Sequence, residues 1–366
     1  MENMESRSRR RGRWLALVAG LLVVVAIGVA ATAFFVLRAD EARYYEAANE
    51  HYAQGDWAQA IAAYSAALAV RPELVLQHQD LAHANRGAAY FYQGSYPEAM
   101  DDLDRALAAR PDLAPALAYR GAARVLAGEP EAGRGDLDRA LELDPEQALA
   151  YVFRGWLRHQ AGDDAGAVED AGEALSRAEH LPAVYLAPAH ALRAEDAYLG
   201  GDLEAAGEAA GAALDAPAGV VPFEGADRAL AQAVRAGLLL EESDFEGAMG
   251  AATEALAQDE ALALAYTVRG AARFYLDEME GAAADLDKAL ALDPELALAY
   301  AYRARYRLFW YDEEGALADV EKAMDLAPDL ALAYALRARA QAEQGDFDSA
   351  WQDYDQALAL APDQAA

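Results

Sequence analysis

Residues 297–328 read ALAYAYRARYRLFWYDEEGALADVEKAMDLAP, and the segments on either side follow the same plan. Residues 263–294 read ALAYTVRGAARFYLDEMEGAAADLDKALALDP, and residues 331–362 read ALAYALRARAQAEQGDFDSAWQDYDQALALAP. The shared opening Ala-Leu-Ala-Tyr recurs every 34 residues, which is the length of a helix–turn–helix unit. Alanine and leucine recur at helical spacing on both sides of a polar turn, and a proline closes each segment. The stretch therefore predicts a tandem array of helical hairpins.

The same period extends toward the N-terminus and gives nine units in all. Counted from the start of each unit, positions 8 and 20 are small in all nine, and position 27 is always alanine. Small residues at these positions let two antiparallel helices approach closely. A glycine occupies the turn in six units, at position 15. The units start near Glu41, Asp80, Ala114, Ala148, Ala187, Ala229, Ala263, Ala297 and Ala331.

This pattern resembles the tetratricopeptide repeat family, whose signature combines small residues at these positions with a closing proline. The resemblance covers residues 41–366. It implies an all-α fold, an α-solenoid of about nine helix–turn–helix repeats. Repeats 5 and 6, within residues 187–260, match less well because they lack the usual proline and extra residues precede them.

The resemblance also implies a binding surface. In this family the first helix of each repeat lines a concave groove that binds protein or peptide segments. Aromatic residues suit such a surface because rigid rings lose little entropy on binding. The alternative is that several of these rings pack in the core between repeats. The candidate partner-binding residues are Tyr45, Asn49, Tyr52, Phe91, Tyr92, Trp156, Phe274, Tyr275 and Phe309.

A row of opposite charges recurs with the repeat. Arginine occupies position 7 in eight units and aspartate occupies position 23 in six, always in units that have the arginine. The two positions lie at similar heights on antiparallel helices, so we expect them to pair within or between repeats. The alternative function for the arginines is an anion site. The predicted pairs, which we call the charge ladder, are Arg86 and Asp102, Arg120 and Asp136, Arg154 and Asp170, Arg269 and Asp285, Arg303 and Asp319, and Arg337 and Asp353.

The N-terminal segment predicts a membrane anchor. Residues 14–37 carry no charge and would span about 36 Å as a helix, enough to cross a bilayer. Residues 1–13 are rich in arginine, and the positive-inside rule makes them a cytoplasmic tail. We therefore expect a single-pass protein of the cell membrane whose repeats lie outside the cytoplasm. A cleaved signal peptide is the alternative, because Ala31-Thr32-Ala33 resembles a cleavage site.

Composition excludes several kinds of chemistry. The formal net charge of −32 repels phosphate backbones, so nucleic acid is excluded as a partner. The chain has no cysteine, which excludes disulfides and thiolate metal sites. The six histidines are scattered and form none of the spacings typical of metal sites. We expect no catalytic site, no metal and no cofactor, and therefore no enzyme activity.

Two functions remain open. One is a membrane-tethered scaffold that binds protein or peptide segments. The other is a regulatory or substrate-recruiting subunit of a membrane-associated enzyme complex. The last helix adds a third expectation, since Trp351, Tyr354 and Leu358 give it an apolar face and solenoids normally end in a polar cap. Self-association through this C-terminal helix is expected to cover that face.

Overall fold

The two segments of each repeat, one on either side of the turn, fold as helices because alanine and leucine favour the helical backbone. The computed structural model describes residues 43–69, 79–216 and 225–361, together with Ile27. Counting the helical residues 43–53, these segments contain eighteen α-helices, a short 3₁₀ turn at Ala178–His180 and no strand. The all-α prediction is confirmed for this part of the chain.

The chain divides into two compact units, Met1–Asp144 and Pro145–Ala366. The described helices of the first unit are α1 (residues 43–53), α2 (Trp57–Ala69), α3 (Gln79–Tyr92), α4 (Tyr96–Ala109), α5 (Ala114–Leu126) and α6 (Pro130–Leu143). Those of the second are α7 (Ala148–Gln160), α8 (Asp164–Ser176), α9 (Ala183–Leu199), α10 (Leu203–Asp215), α11 (Ala226–Glu241), α12 (Phe245–Gln258), α13 (Ala263–Tyr275), α14 (Met279–Leu292), α15 (Ala297–Phe309), α16 (Glu313–Leu326), α17 (Ala331–Glu343) and α18 (Phe347–Leu360).

Each odd-numbered helix and the even-numbered helix after it form the hairpin of one repeat. The first helices of repeats 5 and 6 differ from the others. The helix α9 begins at Ala183 and not at Ala187, and α11 begins at Ala226 and not at Ala229. Both are longer than the 13 residues of most first helices, with 17 and 16 residues. Residues 183–186 and 226–228, which precede the predicted starts of these two repeats, therefore lengthen the helices.

The turn between the two helices requires a left-handed residue. All six predicted turn glycines have positive φ, between 76° at Gly55 and 84° at Gly345. In the other three repeats the same position holds Ser243, Asp277 and Tyr311, with φ of 61° to 64°. A side chain other than glycine at such φ costs free energy, least for asparagine and aspartate and more for a bulky residue.

Small residues at position 8 allow the two helices of a repeat to touch. A Cβ atom added to Gly121 would lie 2.8 Å from Leu137 Cγ and 2.9 Å from the carbonyl oxygen of Gly133. At Gly87 the same addition would lie 2.7 Å from Leu103 Cγ. These contacts are closer than van der Waals packing permits, so the backbones approach as the sequence predicts.

The core of each unit is a seam of alanine and larger apolar residues between consecutive helices. In the first unit Ala48, Ala60, Tyr64, Ala82 and Ala89 form one cluster. In the second unit Val320 of α16 and Leu336 of α17 belong to a cluster that spans repeats 8 and 9. A single hairpin could not bury such a face, which is the physical reason the repeats stack.

No helix within residues 43–69, 79–216 and 225–361 combines the length and the apolar content that a membrane span needs. The predicted basic tail at 1–13 and the predicted anchor at 14–37 lie outside the described residues, apart from Ile27.

Candidate functional site

The structure brings each of the six ladder arginines to the aspartate of its own repeat. In every pair Arg Nε and Nη2 donate to the two carboxylate oxygens over 2.5–2.9 Å, a bidentate geometry. The aspartates are only 1–7% exposed. A buried carboxylate needs such a partner, because an unpaired charge would cost several kcal/mol. The ladder is therefore a structural element that ties the two helices of each repeat together.

Four repeats add a second arginine one helical turn later, and it shares the same aspartate. Arg124 Nη1 lies 2.7 Å from Asp136, and Arg273 Nη1 lies 2.6 Å from Asp285. The equivalent nitrogens of Arg158 and Arg307 lie 3.0 and 2.8 Å from their aspartates. Two guanidinium groups thus converge on one carboxylate, which offsets the repulsion between them.

In repeat 2 the position of the second arginine holds Tyr90, and a histidine one turn before Arg86 contacts the aspartate instead. His83 Nδ1 lies 2.9 Å from Asp102 Oδ1. Burial acts to raise the pKa of Asp102, but the hydrogen bonds from Arg86 and His83 outweigh it, and the pKa is lowered. The carboxylate is therefore ionised over the whole physiological range, as a salt-bridge partner must be.

The predicted partner-binding residues of the first unit form a tyrosine network that is largely shielded. Tyr52 and Tyr92 each share a hydrogen bond with the hydroxyl of Tyr119, over 3.2 and 2.8 Å. Tyr64 donates to Asn49 over 2.7 Å, and Asn85 donates to Tyr45 over 3.3 Å. Asn49 is exposed, Tyr45 and Tyr52 are half-buried, and Phe91 and Tyr92 are buried.

Two of the predicted contacts belong to the core. Phe91 is fully buried, and Trp156 in the second unit is buried among the residues of α7 and its neighbours. This burial indicates that Phe91 and Trp156 pack in the core, and their contact with a partner stays a prediction. The alternative reading, in which some rings pack between repeats, applies to them because aromatic residues supply the largest buried area.

In the second unit the predicted residues Phe274, Tyr275 and Phe309 lie together. Phe274 packs edge-on against Tyr275 and Phe309, with ring centroids 5.5 and 5.6 Å apart. Phe245 extends the row, because its ring stacks on Tyr275 at 4.4 Å. Tyr275 is 38% and Phe309 44% exposed. We call these four residues the aromatic surface of repeats 6–8.

Arg305 borders this surface. Its guanidinium lies 5.5 Å from the ring centroid of Tyr275 and 5.7 Å from that of Tyr302, within cation–π distance. Burial lowers the pKa of Arg305, partly offset by the charge of Glu241. The site therefore combines exposed rings with a partly desolvated hydrogen-bond donor, as protein interfaces often do.

Sequence reasoning missed Phe245 of this surface and the two aromatic residues that follow Phe309, namely Trp310 and Tyr311. Trp310 and Tyr311 occupy turn positions 14 and 15 of repeat 8, where no other repeat has an aromatic residue. That departure from the repeat was the signal available in the sequence. Tyr311 is the most exposed large apolar side chain, at 84%, among the described residues.

The C-terminal helix α18 presents an exposed apolar face. Phe347, Trp351, Tyr354 and Leu358 share one side of the helix, and Trp351 is 68% exposed. In repeat 8, the residues at the positions of Trp351, Tyr354 and Leu358 pack in the seam with α17. The face of α18 is therefore a seam surface without a covering helix among the described residues.

Within the described segments no three histidine or acidic side chains come together in a way that could hold a metal ion.

Comparison with known proteins places the repeats in a family. Residues 81–113 and residues 331–364 each match a model of the tetratricopeptide repeat. The two matches coincide with repeats 2 and 9, at opposite ends of the array. No curated protein matches the sequence significantly.

Solved structures of similar architecture are distant. A tetratricopeptide repeat protein from Parabacteroides merdae is 17% identical, with 87% of this chain and 99% of that chain covered and a TM-score of 0.33. Yeast Tom70 is 18% identical, with 88% and 76% covered and a TM-score of 0.35. Likenesses at this level carry no functional argument. The chain therefore contains tetratricopeptide-type repeats: two of its nine helical hairpins match the family model, and the others have small residues at the same positions.

Proposed function

We propose that the chain is a membrane-tethered scaffold that binds protein or peptide segments along the first helices of its repeats. The observation that carries the proposal is the aromatic surface of repeats 6–8, where exposed rings lie in continuous contact. Single exposed rings are common on soluble proteins, whereas a contiguous row rimmed by polar groups is typical of a binding surface. Tyr275 and Phe309 contact other rings of the surface and still remain substantially exposed.

The chemistry of the surface indicates an apolar or aromatic segment as the ligand. Phe309 and Tyr275 offer flat faces, and Arg305 can donate hydrogen bonds to backbone carbonyl oxygens of a bound chain. Most of the contact area is carbon, so the partner segment would contribute at least one large apolar side chain. Only a few such anchors supply most of the affinity in a typical interface.

A photo-crosslinking amino acid at Phe309 tests this proposal in native membranes. Tyr44 is the matched control position, because its exposure of 43% equals the 44% of Phe309 and it lies in the other unit. We expect a discrete crosslinked partner from position 309 and little from position 44, and loss of the product in a Tyr275→Ala chain. Equal labelling at both positions would refute a specific surface.

The same captured material separates the two functions left open by the sequence. An associated protein without catalytic activity supports a scaffold. Hydrolase or transferase activity in the purified complex would instead make this chain a regulatory or substrate-recruiting subunit.

The membrane part of the proposal depends on the uncharged residues 14–37 and the arginines before them. We expect the full-length chain to resist alkaline extraction from membranes and a chain lacking residues 1–38 to be released. Mass spectrometry of the mature protein distinguishes a retained anchor from a signal peptide cleaved after Ala33.

We also propose that two copies associate through the apolar face of α18. The equivalent face of α16 is covered by the next helix, α17. The covering residues lie at positions 3, 6 and 10 of repeat 9 and are Ala333, Leu336 and Ala340. In α1 the same positions hold the exposed charges Arg43, Glu46 and Glu50. The N-terminal end of another copy therefore cannot cover α18 in this way, so association pairs two α18 faces. Such an interface is closed and stops at a dimer.

A further inference from the structure

A cavity of about 340 Å³ opens between α14 and α15 in the second unit. Ala283 of α14 forms part of its lining, and Tyr306 and Trp310 of α15 supply aromatic walls. The two rings lie 6.5 Å apart at 58° to one another. Trp310 is 55% exposed, so the cavity is open to a side chain from another molecule.

These walls distinguish repeat 8 from its neighbours. Tyr306 and Trp310 occupy positions 10 and 14. The neighbouring repeats have Ala272 and Leu276, or Ala340 and Gln344, at those positions. The alanines at position 10 are buried in both neighbours, which shows that the fold needs only a small residue there. The fold of the repeat therefore does not require aromatic residues at positions 10 and 14.

The charged groups of the cavity have an excess of carboxylates. Arg303 donates to Asp319 through Nε and Nη2 and to Asp287 through Nη1, over 2.9, 2.7 and 3.1 Å. Arg307 Nη1 lies 2.8 Å from Asp319 and donates to the carbonyl oxygen of Gly315. Both guanidinium groups are thus already directed at acceptors within the chain. Asp287 and Asp312 line the cavity beside the two arginines, and Asp312 lies 3.7 Å from Arg307 Nε. With the buried Asp319, which both arginines contact, three carboxylates stand against two guanidinium groups.

The two outer carboxylates are accessible. The side chains of Asp287 and Asp312 are 69% and 54% exposed. An incoming anion would meet these acids and find the arginines engaged. An incoming cation would find carboxylate oxygens beside two aromatic faces, in a chain whose net charge is −32. A guanidinium group suits both features, because it stacks on a ring and donates to a carboxylate at the same time.

We propose that this cavity binds an arginine side chain of the partner polypeptide, stacked on Trp310 and hydrogen-bonded to Asp287 or Asp312. The proposal rests on the proposed protein-binding function and adds a second contact, outside the aromatic surface of repeats 6–8. It predicts that the bound segment carries a basic residue as well as an apolar anchor.

Fluorine NMR of the full-length chain, labelled with 5-fluorotryptophan and held in detergent, tests the cavity directly. The probe is N-acetyl-arginine amide, and the matched neutral probe is N-acetyl-citrulline amide. We expect a saturable shift of the Trp310 signal, assigned with a Trp310→Phe chain, at about millimolar concentrations, as is usual for a fragment of this size. Citrulline should bind about tenfold more weakly, because it lacks the charge.

Asp104 in the first unit provides the matched control variant. It accepts from Arg120 over 2.7 Å, as Asp287 accepts from Arg303, and it occupies the same repeat position. The repeat that follows Asp104 has Ala123 and Ala127 at positions 10 and 14, where the repeat that follows Asp287 has Tyr306 and Trp310. The aromatic walls of the cavity are therefore missing beside Asp104. Asp287→Asn should weaken arginine binding several-fold, whereas Asp104→Asn should leave it unchanged.

Three results would overturn the proposal: no shift at Trp310, equal shifts from arginine and citrulline, or equal weakening by both asparagine variants. Stronger binding of N-acetyl-glutamate amide would identify an anion site instead. Thermal melts confirm that each variant folds. Because these probes need no natural partner, their failure rejects the arginine site alone, and the crosslinking at Phe309 is judged separately.

Discussion

Replacing Arg269 with methionine tests whether the charge ladder holds a repeat together. Methionine keeps the length and apolar stem of the side chain and removes only the guanidinium group. In the native repeat Arg269 donates to Asp285 through Nε and Nη2, each over 2.8 Å. Arg273 donates a third hydrogen bond over 2.6 Å.

The expected cost follows from these contacts. Hydrogen bonds to charged groups contribute about 1.5–3 kcal/mol each, and removing one partner of a buried pair costs about 3–5 kcal/mol. Arg273 remains beside Asp285 and keeps the carboxylate neutralised, so we expect the lower end, about 3 kcal/mol. A double variant, Arg269→Met with Arg273→Met, leaves Asp285 without a guanidinium and should reach the upper end, about 5 kcal/mol.

Hydrogen exchange of the α13 and α14 peptides measures this loss locally, which suits a repeat array because its global unfolding need not be two-state. The control is Arg139→Met. Arg139 also contacts a carboxylate at 2.8 Å, that of Glu142, but both side chains are more than half exposed. An exposed pair contributes about 0–1 kcal/mol. If Arg269→Met cost no more than Arg139→Met, the ladder would not be a stabilising element and our reading of its burial would be refuted.

Three further predictions concern other parts of the chain. Burial raises the pKa of Glu195 to about 7, and the pKa of nearby His159 is also raised, by Asp164 and Glu195 against its own burial. Both folded groups bind protons more tightly than in the unfolded chain, so stability should fall as the pH rises from about 4.5 to about 7, by up to about 3 kcal/mol for Glu195. Urea titrations should show a smaller pH dependence in Glu195→Gln. Light scattering of the chain without its anchor should show a dimer that strengthens with salt, since salt screens the strongly negative net charge of the repeats, and Trp351→Asp should give a monomer. Gly121→Ala should lower the free energy of unfolding by about 1–3 kcal/mol through overpacking, whereas Gly135→Ala, where an added Cβ meets nothing within 4 Å, should raise it by about 0.5–1 kcal/mol; thermal melts of the two variants compare them.

The helical hairpins could be predicted from the sequence because the same residue types recur at the same positions of every repeat. The small residues at position 8 lie against the opposite helix, as at Gly121, and the turn glycines have positive φ. The starts of repeats 5 and 6 could not be predicted as well. Their first helices are lengthened by residues that have no counterpart in the other repeats, so periodicity gives no information about where those helices begin.

The candidate surface was only partly predictable, because position along a helix does not decide burial. Tyr92 and Phe309 both occupy position 13 of their repeats, yet Tyr92 is buried and Phe309 is exposed. The difference comes from neighbours: Tyr92 contacts Trp57, Phe91 and Tyr119 in the first unit. Side chains that surround a ring in this way come from adjacent repeats, and the size of those side chains differs between repeats.

Tyr311 shows why departures from the repeat are better evidence of function than the repeat itself. At the turn position six repeats have glycine, and Tyr311 adopts φ of 61° in its place, at a cost of about 1–2 kcal/mol. A buried ring could offset that cost through packing, but Tyr311 is 84% exposed. Its chain neighbours Trp310 and Asp312 line the cavity between α14 and α15. Since folding gains little from an exposed aromatic residue here, Tyr311 and its conformation support the proposed contact of a partner with the neighbouring cavity.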